Sequence, residues 1–298
     1  MDMNSKTNNR DMTHNIALVL EGGGFRGIFT AAVLDAFHES ELFFNYLIGV
    51  SAGAAYSVSY VARQYRRNLE VNRFVNDPRY CSLANFAKTG NYFNWSFIYH
   101  EIPLQYVPFD YQVYSQSDSR LKVVVTDIET GLPEYYELRT DSPEEFRDWL
   151  SATSALPMIS KPIRINGHRY MDGGLSDSIP VAKALADGND RAVVVLTRPK
   201  GYRKKPSRSS WLLRFRYRHY PKLIECIHKR TEEYNATLDL IDRLEVEGRI
   251  FVIRPANGNL VSRLENNPQK LELFYNSTLK QMKSELPRLR KWLEDGVL

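Results

Sequence analysis

Apolar positions along this chain fall into short runs separated by glycine-rich or polar stretches. Residues 15–20 (NIALVL) form such a run and end in Glu21 and a glycine cluster, which predicts a buried strand entering a tight loop. Residues 30–39 (TAAVLDAFHE) then place Ala31, Leu34 and Phe37 on one face at helical spacing. Residues 46–50 (YLIGV) are too few for a helix and rich in strand formers, and Ser51 follows directly. The opening therefore reads strand, loop, helix, strand, turn, helix.

Residues 121–126 (LKVVVT), 192–197 (AVVVLT) and 249–254 (RIFVIR) carry the β-branched runs of strands buried on both faces. Between them the spacing predicts helices over 143–153, 181–186 and 231–244, and a helical tail over 268–294 interrupted near Pro287. Residues 164–170 (RINGHRY) predict a small hairpin turning at Asn166-Gly167. Strands and helices alternate as in an α/β sandwich.

With 298 residues, 43% hydrophobic and 25% charged, the composition is that of an ordinary globular protein and argues against a disordered or fibrous chain. Residues 1–14 are polar, do not resemble a secretory signal, and read as a loose tail. We expect one α/β domain over 15–256 with a basic insertion near 199–230, and a helical C-terminal extension over 257–298 packed on the same domain. Residues 199–210 lack core formers and read as an exposed loop.

No apolar run approaches the roughly 18–20 residues needed to cross a bilayer. Two cysteines, Cys81 and Cys226, give neither a disulfide framework nor a metal site, so a cytoplasmic protein without a metal is expected. The net charge of +5 is unevenly placed, because residues 198–230 hold twelve Lys or Arg against the single acid Glu225. That run reads either as solvated surface or as a peripheral contact with an anionic membrane, where each cation contributes on the order of 1 kcal/mol. Nothing resembles a nucleic-acid reading module.

Three pieces carry chemistry. Gly49-Val50-Ser51-Ala52-Gly53 sets a G-x-S-x-G between a strand and a helix, a sharp turn that lifts the serine hydroxyl clear of the backbone. The helix beginning beside Ser51 aims free NH groups, Ala52 first, at an oxyanion formed during attack. Gly22-Gly23-Gly24-Phe25-Arg26-Gly27 leaves backbone NH groups uncovered for the same negative oxygen. It also satisfies G-x-G-x-x-G, the dinucleotide-binding turn, but that reading expects an acidic residue at the end of the second strand, where Ser51 stands. The third piece, Met171-Asp172-Gly173-Gly174, reads alone as a turn; beside a serine elbow it supplies the missing base, provided the site is dry enough to raise the carboxyl's proton affinity.

A histidine triad is the rival arrangement. Ser51, Asp127 and His168 follow the chain order of an α/β-hydrolase, yet the elbow follows only the second strand, and His168 sits inside the expected hairpin as an exposed turn residue.

Taken in this order, the three motifs resemble the patatin-like phospholipase family, whose G-G-G-x-R-G loop, G-x-S-x-G elbow and later D-G-G are matched by Gly22 to Gly27, Gly49 to Gly53 and Asp172 to Gly174. The similarity runs from Ile16 to about Pro199 and includes residues 151–157 (SATSALP), the approach to the aspartate. The resemblance implies a three-layer α/β/α sandwich with a mainly parallel central sheet, and a Ser51/Asp172 dyad needing no cofactor. It further implies an oxyanion hole from Gly22 to Gly27 and Ala52, and cleavage of ester bonds in acyl lipids or phospholipids. Many relatives carry an asparagine shortly after D-G-G, where residues 175–180 here read LSDSIP with Ser178 near that place.

Residues 92–114 hold nine aromatics interrupted by Pro103 and Pro108, which either pack as core or wall an acyl-chain pocket. The functional expectation is a serine lipid acyl hydrolase. Two alternatives use the same residues: a transacylase working through the same dyad, and a non-catalytic protein holding a nucleotide or anionic lipid on the glycine loop.

Overall fold

The computed structural model describes residues 12–139, 142–206, 210–256 and 261–296. Its strands are β1 (Ile16–Leu20), β2 (Tyr46–Val50), β3 (Arg120–Asp127), β4 (Pro133–Glu137), β5 (Ile163–Ile165), β6 (His168–Asp172), β7 (Arg191–Val195) and β8 (Ile250–Ile253). They join in the order β5-β6-β3-β2-β1-β7-β8, with β4 also pairing β3. The run β3-β2-β1-β7-β8 is parallel throughout, and the pairings of β4, β5 and β6 are antiparallel.

Alternation along each central strand divides the apolar residues between two faces. Leu18, Leu20, Leu47, Val123, Val125, Val193 and Val195 belong to one core. Ala17, Val19, Ile48, Val50, Val124, Ala192 and Val194 belong to the other. The first core is closed by α1 (Ile28–Glu39), α2 (Ala52–Val61), α3 (Pro143–Ser154) and the C-terminal α6 (Pro268–Glu294), through side chains such as Phe29, Val58, Trp149 and Met282. The second is closed by α4 (Val181–Ala186) and α5 (Pro221–Val246), through Val181, Tyr234, Leu238 and Ile241. The chain is thus a three-layer α/β/α sandwich with a mostly parallel sheet. Each fully buried side chain of this size contributes roughly 1.5–3 kcal/mol, so neither face of the sheet is stable uncovered.

Several boundaries differ from expectation. Of the expected loose tail, Met12 and Thr13 are buried, the Thr13 hydroxyl donates to the Phe43 carbonyl at 2.8 Å, and His14 is exposed; residues 1–11 lie outside the described residues. Helix α5 begins ten residues early, at Pro221, because proline suits a first helical turn and Leu223 and Cys226 bury the added face. Helix α6 runs unbroken through Pro287. That proline and Lys283 four residues before it are both exposed, so the ring lies on the outer face of the helix while Leu289 and Leu293 anchor the following turn.

The segment expected as an exposed loop, 199–210, is partly pinned, and residues 207–209 lie outside the described residues. Lys204 exchanges backbone bonds with the Asn235 side chain of α5, its amide donating at 2.8 Å and its carbonyl accepting at 3.1 Å. Among the described residues no helix is long and apolar enough to cross a membrane.

Candidate active site

The site begins with how β3 divides its two edges. Strand β4 occupies one edge opposite Lys122 to Thr126, and β2 occupies the other opposite Arg120 to Val124. Strand β6 pairs Val125 to Asp127, a stretch whose β4 edge is already filled. It therefore continues the β2 edge: the Arg120 amide reaches Asn45 before β2 and the Ile128 amide reaches Arg169 of β6, while the Asp127 amide points the opposite way, to Leu132. Strands β2 and β6 run head to head along one edge of β3. Val50 pairs Val124 and Asp172 pairs Val125, so the residues at the two strand ends are brought together although 122 positions apart in sequence.

At the end of β2, Ser51 adopts φ 53° and ψ −122°, a left-handed conformation that an L-residue holds only under strain. It is 6% exposed and caps α2 with no side-chain bond to that helix, which leaves its hydroxyl available. Gly49 and Gly53 allow the turn, since a Cβ on either would come within 2.7 Å of the Ala54 amide or 2.5 Å of the Leu20 carbonyl. Thr153, near the C-terminus of α3, fills the gap between the two strand ends. Its hydroxyl accepts from the Ser51 amide at 2.9 Å and donates to the Val124 carbonyl at 2.6 Å. The next turn of that segment holds the other strand, as the Asp172 amide donates to the Ala155 carbonyl at 3.0 Å.

Asp172 is 1% exposed. Its Oδ1 accepts from the Gly174 amide at 2.8 Å, and its Oδ2 is buried without a hydrogen-bond partner among the described residues. Burial raises the carboxyl's pKa, opposed by Arg263, Arg230, the Gly174 amide and the Ser51 hydroxyl. Ser51 thus approaches the carboxylate closely enough to favour its charged form, without closing a hydrogen bond of normal geometry to Oδ2. Gly173 lies against the Val124 carbonyl, where a Cβ would come within 2.2 Å. The Gly174 carbonyl accepts from Ser178 Oγ at 2.7 Å and from Arg230 Nε. Ser178 and Arg230 therefore brace the loop behind Asp172.

The glycine loop follows β1 and meets the elbow directly. A Cβ on Gly22 would stand 3.1 Å from Ser51 Cβ, and one on Gly27 would stand 2.7 Å from Ala52 Cβ. Gly24 takes φ 56°, and among the described residues the amides of Gly22, Gly23 and Gly24 make no hydrogen bond. Phe25 departs from the expected oxyanion set, because its amide donates to the Arg263 carbonyl at 3.1 Å while its ring turns into the cavity beside Ser51. The Arg26 guanidinium is buried, its Nε has no partner among the described residues, and burial together with Arg198 and Arg263 lowers its pKa to about 10.

The rival triad does not assemble. His168 lies four residues before Asp172 on β6, roughly 13 Å along the strand. Its ring is 63% exposed and 3.5 Å from Asp127, whose Oδ1 caps a turn through the amides of Glu129 and Thr130. No histidine lines the cavity that contains Ser51, among the described residues.

That cavity has about 540 Å³ of empty volume, open solvent included, and its walls include Phe25, Tyr56, Phe93, Trp95 and Tyr99. It shares Ala55, Tyr56, Tyr80, Ile98 and Tyr99 with a second apolar hollow of about 520 Å³ that reaches Phe109 and Phe146. Of the aromatic segment, Phe97 and Phe109 are buried in the core, and Phe93, Trp95 and Tyr99 line the cavity beside Ser51. Sequence reasoning missed Thr153, Arg230 and Arg263 at this site. Thr153 lay within the SATSALP stretch, while nothing local marked the two arginines.

Residues 18–185 match the family model described as patatin-like phospholipase, more than half of the chain, and the protein belongs to that family of lipid acyl hydrolases. Residues 220–294 match a second model, described as a domain of unknown function (DUF6363). Among individual proteins, the chain is 27% identical over 251 residues to the uncharacterized protein YjjU of Escherichia coli strain K12, covering 80% of this chain and 68% of that one. The crystal structure of VipD from Legionella pneumophila aligns at 13% identity with a TM-score of 0.45, over 94% of this chain and 67% of that one.

Proposed function

We propose that this chain is a serine hydrolase of carboxylic esters in acyl lipids, with Ser51 as nucleophile and Asp172 as general base. The observation that carries the reading is the buried Oδ2 of Asp172, unpaired among the described residues, beside a strained serine. A carboxylate kept dry takes up a proton more readily than one in water, which suits it to deprotonate a hydroxyl.

In this reading Ser51 Oγ attacks the acyl carbonyl as its proton passes to Asp172 Oδ2. The free amides of Gly22 to Gly24 and of Ala52 at the head of α2 receive the oxyanion. Collapse expels the alcohol, which takes the proton back from Asp172 and leaves an acyl-serine. Water, deprotonated by the same carboxylate, then releases the fatty acid. The aromatic hollow beyond Ser51 suits an acyl chain, since apolar contact there offsets the loss of its hydration or lipid surroundings.

The test is labelling by a fluorophosphonate probe together with turnover of short-chain aryl esters. Wild type is expected to be labelled and active, and Ser51→Ala to lose both. Folded wild type that is neither labelled nor active ends the proposal.

A further inference from the structure

Beside the serine cavity lies a larger cleft, about 1650 Å³ of empty volume with open solvent included, and the two share Leu156, Arg263 and Leu264 as a common wall. Three of its lining cations come from separate parts of the C-terminal half. Lys204 sits on the pinned loop with its Nζ 4.1 Å from the centre of the Tyr234 ring. Arg230, on α5, reaches the Gly174 carbonyl. Arg263 packs its side chain against the glycine loop, where a Cβ on Gly24 would come within 3.0 Å of Arg263 Cγ, and its own Nε is buried with no partner among the described residues.

Among the described residues none of these three, nor Arg26 beside them, makes a salt bridge. Glu232 is the one carboxylate on the described lining of the cleft. Two further acids lie close to the group: Glu21, already engaged by the Thr197 amide and hydroxyl and by the Tyr234 hydroxyl at 2.5 Å, and Asp172, which Arg230 and Arg263 face and whose charged form burial disfavours. Burial lowers the Lys204 pKa to about 7, with Arg230 and Arg263 pressing the same way. Four cations thus outnumber the two buried acids beside them, and an excess of like charge in poor solvent is destabilising unless an anion completes it.

We propose that this cleft is the subsite for the phosphate of an acylglycerol phosphate substrate, held by Lys204, Arg230 and Arg263 while the ester reaches Ser51. The assignment rests on the hydrolase reading and names its substrate class. Arginine forks and a lysine point charge match the phosphate oxygens. The shared wall with the serine cavity favours a lipid over a free ion, because glycerol separates phosphate from ester by only a few bonds. The excess of positive charge selects against headgroups that carry their own cation, so phosphatidate is preferred to phosphatidylcholine, and both phosphate and charge are missing from diacylglycerol.

The test compares kcat/KM on dioctanoyl phosphatidate, phosphatidylcholine and diacylglycerol in mixed micelles. Wild type is expected to prefer phosphatidate over both by at least tenfold. Lys204→Met and Arg263→Met are each expected to reduce that preference at least fivefold, and Lys204→Arg to keep it. Ser51-dependent turnover without headgroup preference, or an unchanged preference in both Met variants, overturns the subsite. Should no ester be cleaved, the hydrolase reading fails separately, and calorimetric titration with glycerol 3-phosphate judges the subsite alone. Binding weakened at least tenfold by Lys204→Met supports it, and no binding to wild type overturns it. Inorganic phosphate bound through Lys204 in an active enzyme lacking headgroup preference would mark a free-phosphate site and overturn the lipid assignment.

Discussion

The hydroxyl of Thr153 ties the amide of Ser51 to β3, the strand along which both site carriers pair, accepting at 2.9 Å and donating onward to the Val124 carbonyl at 2.6 Å. One side chain therefore holds the serine turn at the join of β2 and β6. Replacing it with valine keeps the volume but leaves a buried donor and a buried acceptor unmet. At about 1–3 kcal/mol for each such group, Thr153→Val is expected to lower stability by about 2–4 kcal/mol in urea denaturation and turnover by at least tenfold. Unchanged values for both would mean the bridge does not set the elbow.

Asp172→Asn is expected to reduce kcat by at least a hundredfold, the usual size of a general-base effect. The same change bears on stability. Because folding raises the Asp172 pKa, the folded state holds a proton that the unfolded chain has released, and stability falls as pH rises from the ordinary aspartate value through the raised one. Asparagine carries no such penalty. The variant is expected to melt at or above the wild-type temperature at pH 7, with the advantage vanishing in acid below the ordinary aspartate pKa. A variant less stable at pH 7 than in acid, relative to wild type, would contradict the sign of this shift.

The backbone of Ser51 predicts a further effect. A non-glycine residue at φ 53°, ψ −122° carries about 1–3 kcal/mol of strain, of which glycine's larger chain entropy cancels about 0.5–1 kcal/mol. Ser51→Gly is expected to be more stable than Ser51→Ala by about 1 kcal/mol, both being inactive. Chemical denaturation of the two variants side by side measures this, and equal midpoints would show that the turn is relaxed.

Ala55 lines both the serine cavity and the hollow behind it. Ala55→Leu adds bulk at the junction and is expected to lower the ratio of laurate to butyrate ester turnover by at least tenfold. A ratio that stays constant would place the acyl chain elsewhere.

What the sequence made legible was local. The glycine loop, the elbow at Ser51 and the hairpin before Asp172 each depend on backbone conformations that only a few residues tolerate, so the residues announce them. The turn at Asn166-Gly167, with φ values of 50° and 86°, is such a case. Convergence was not legible, since the head-to-head placing of β2 and β6 depends on which edge of β3 each strand selects. Nor were Lys204, Arg230 and Arg263, which reach the site from a loop, a helix and a turn with no spacing in common. Helix α6 passed through Pro287 because its anchors lie on the opposite face, a tertiary influence outweighing a local one.

The match to the phospholipase model stops at residue 185, before β7 supplies the strand that covers β1. Helices α5 and α6, within the second match, close opposite faces of the same sheet. Gene dissection along the boundary between the two matches would consequently yield no pair of working halves: the first would carry the chemistry on a sheet with a raw edge, and the second would be two greasy helices with nothing to clasp.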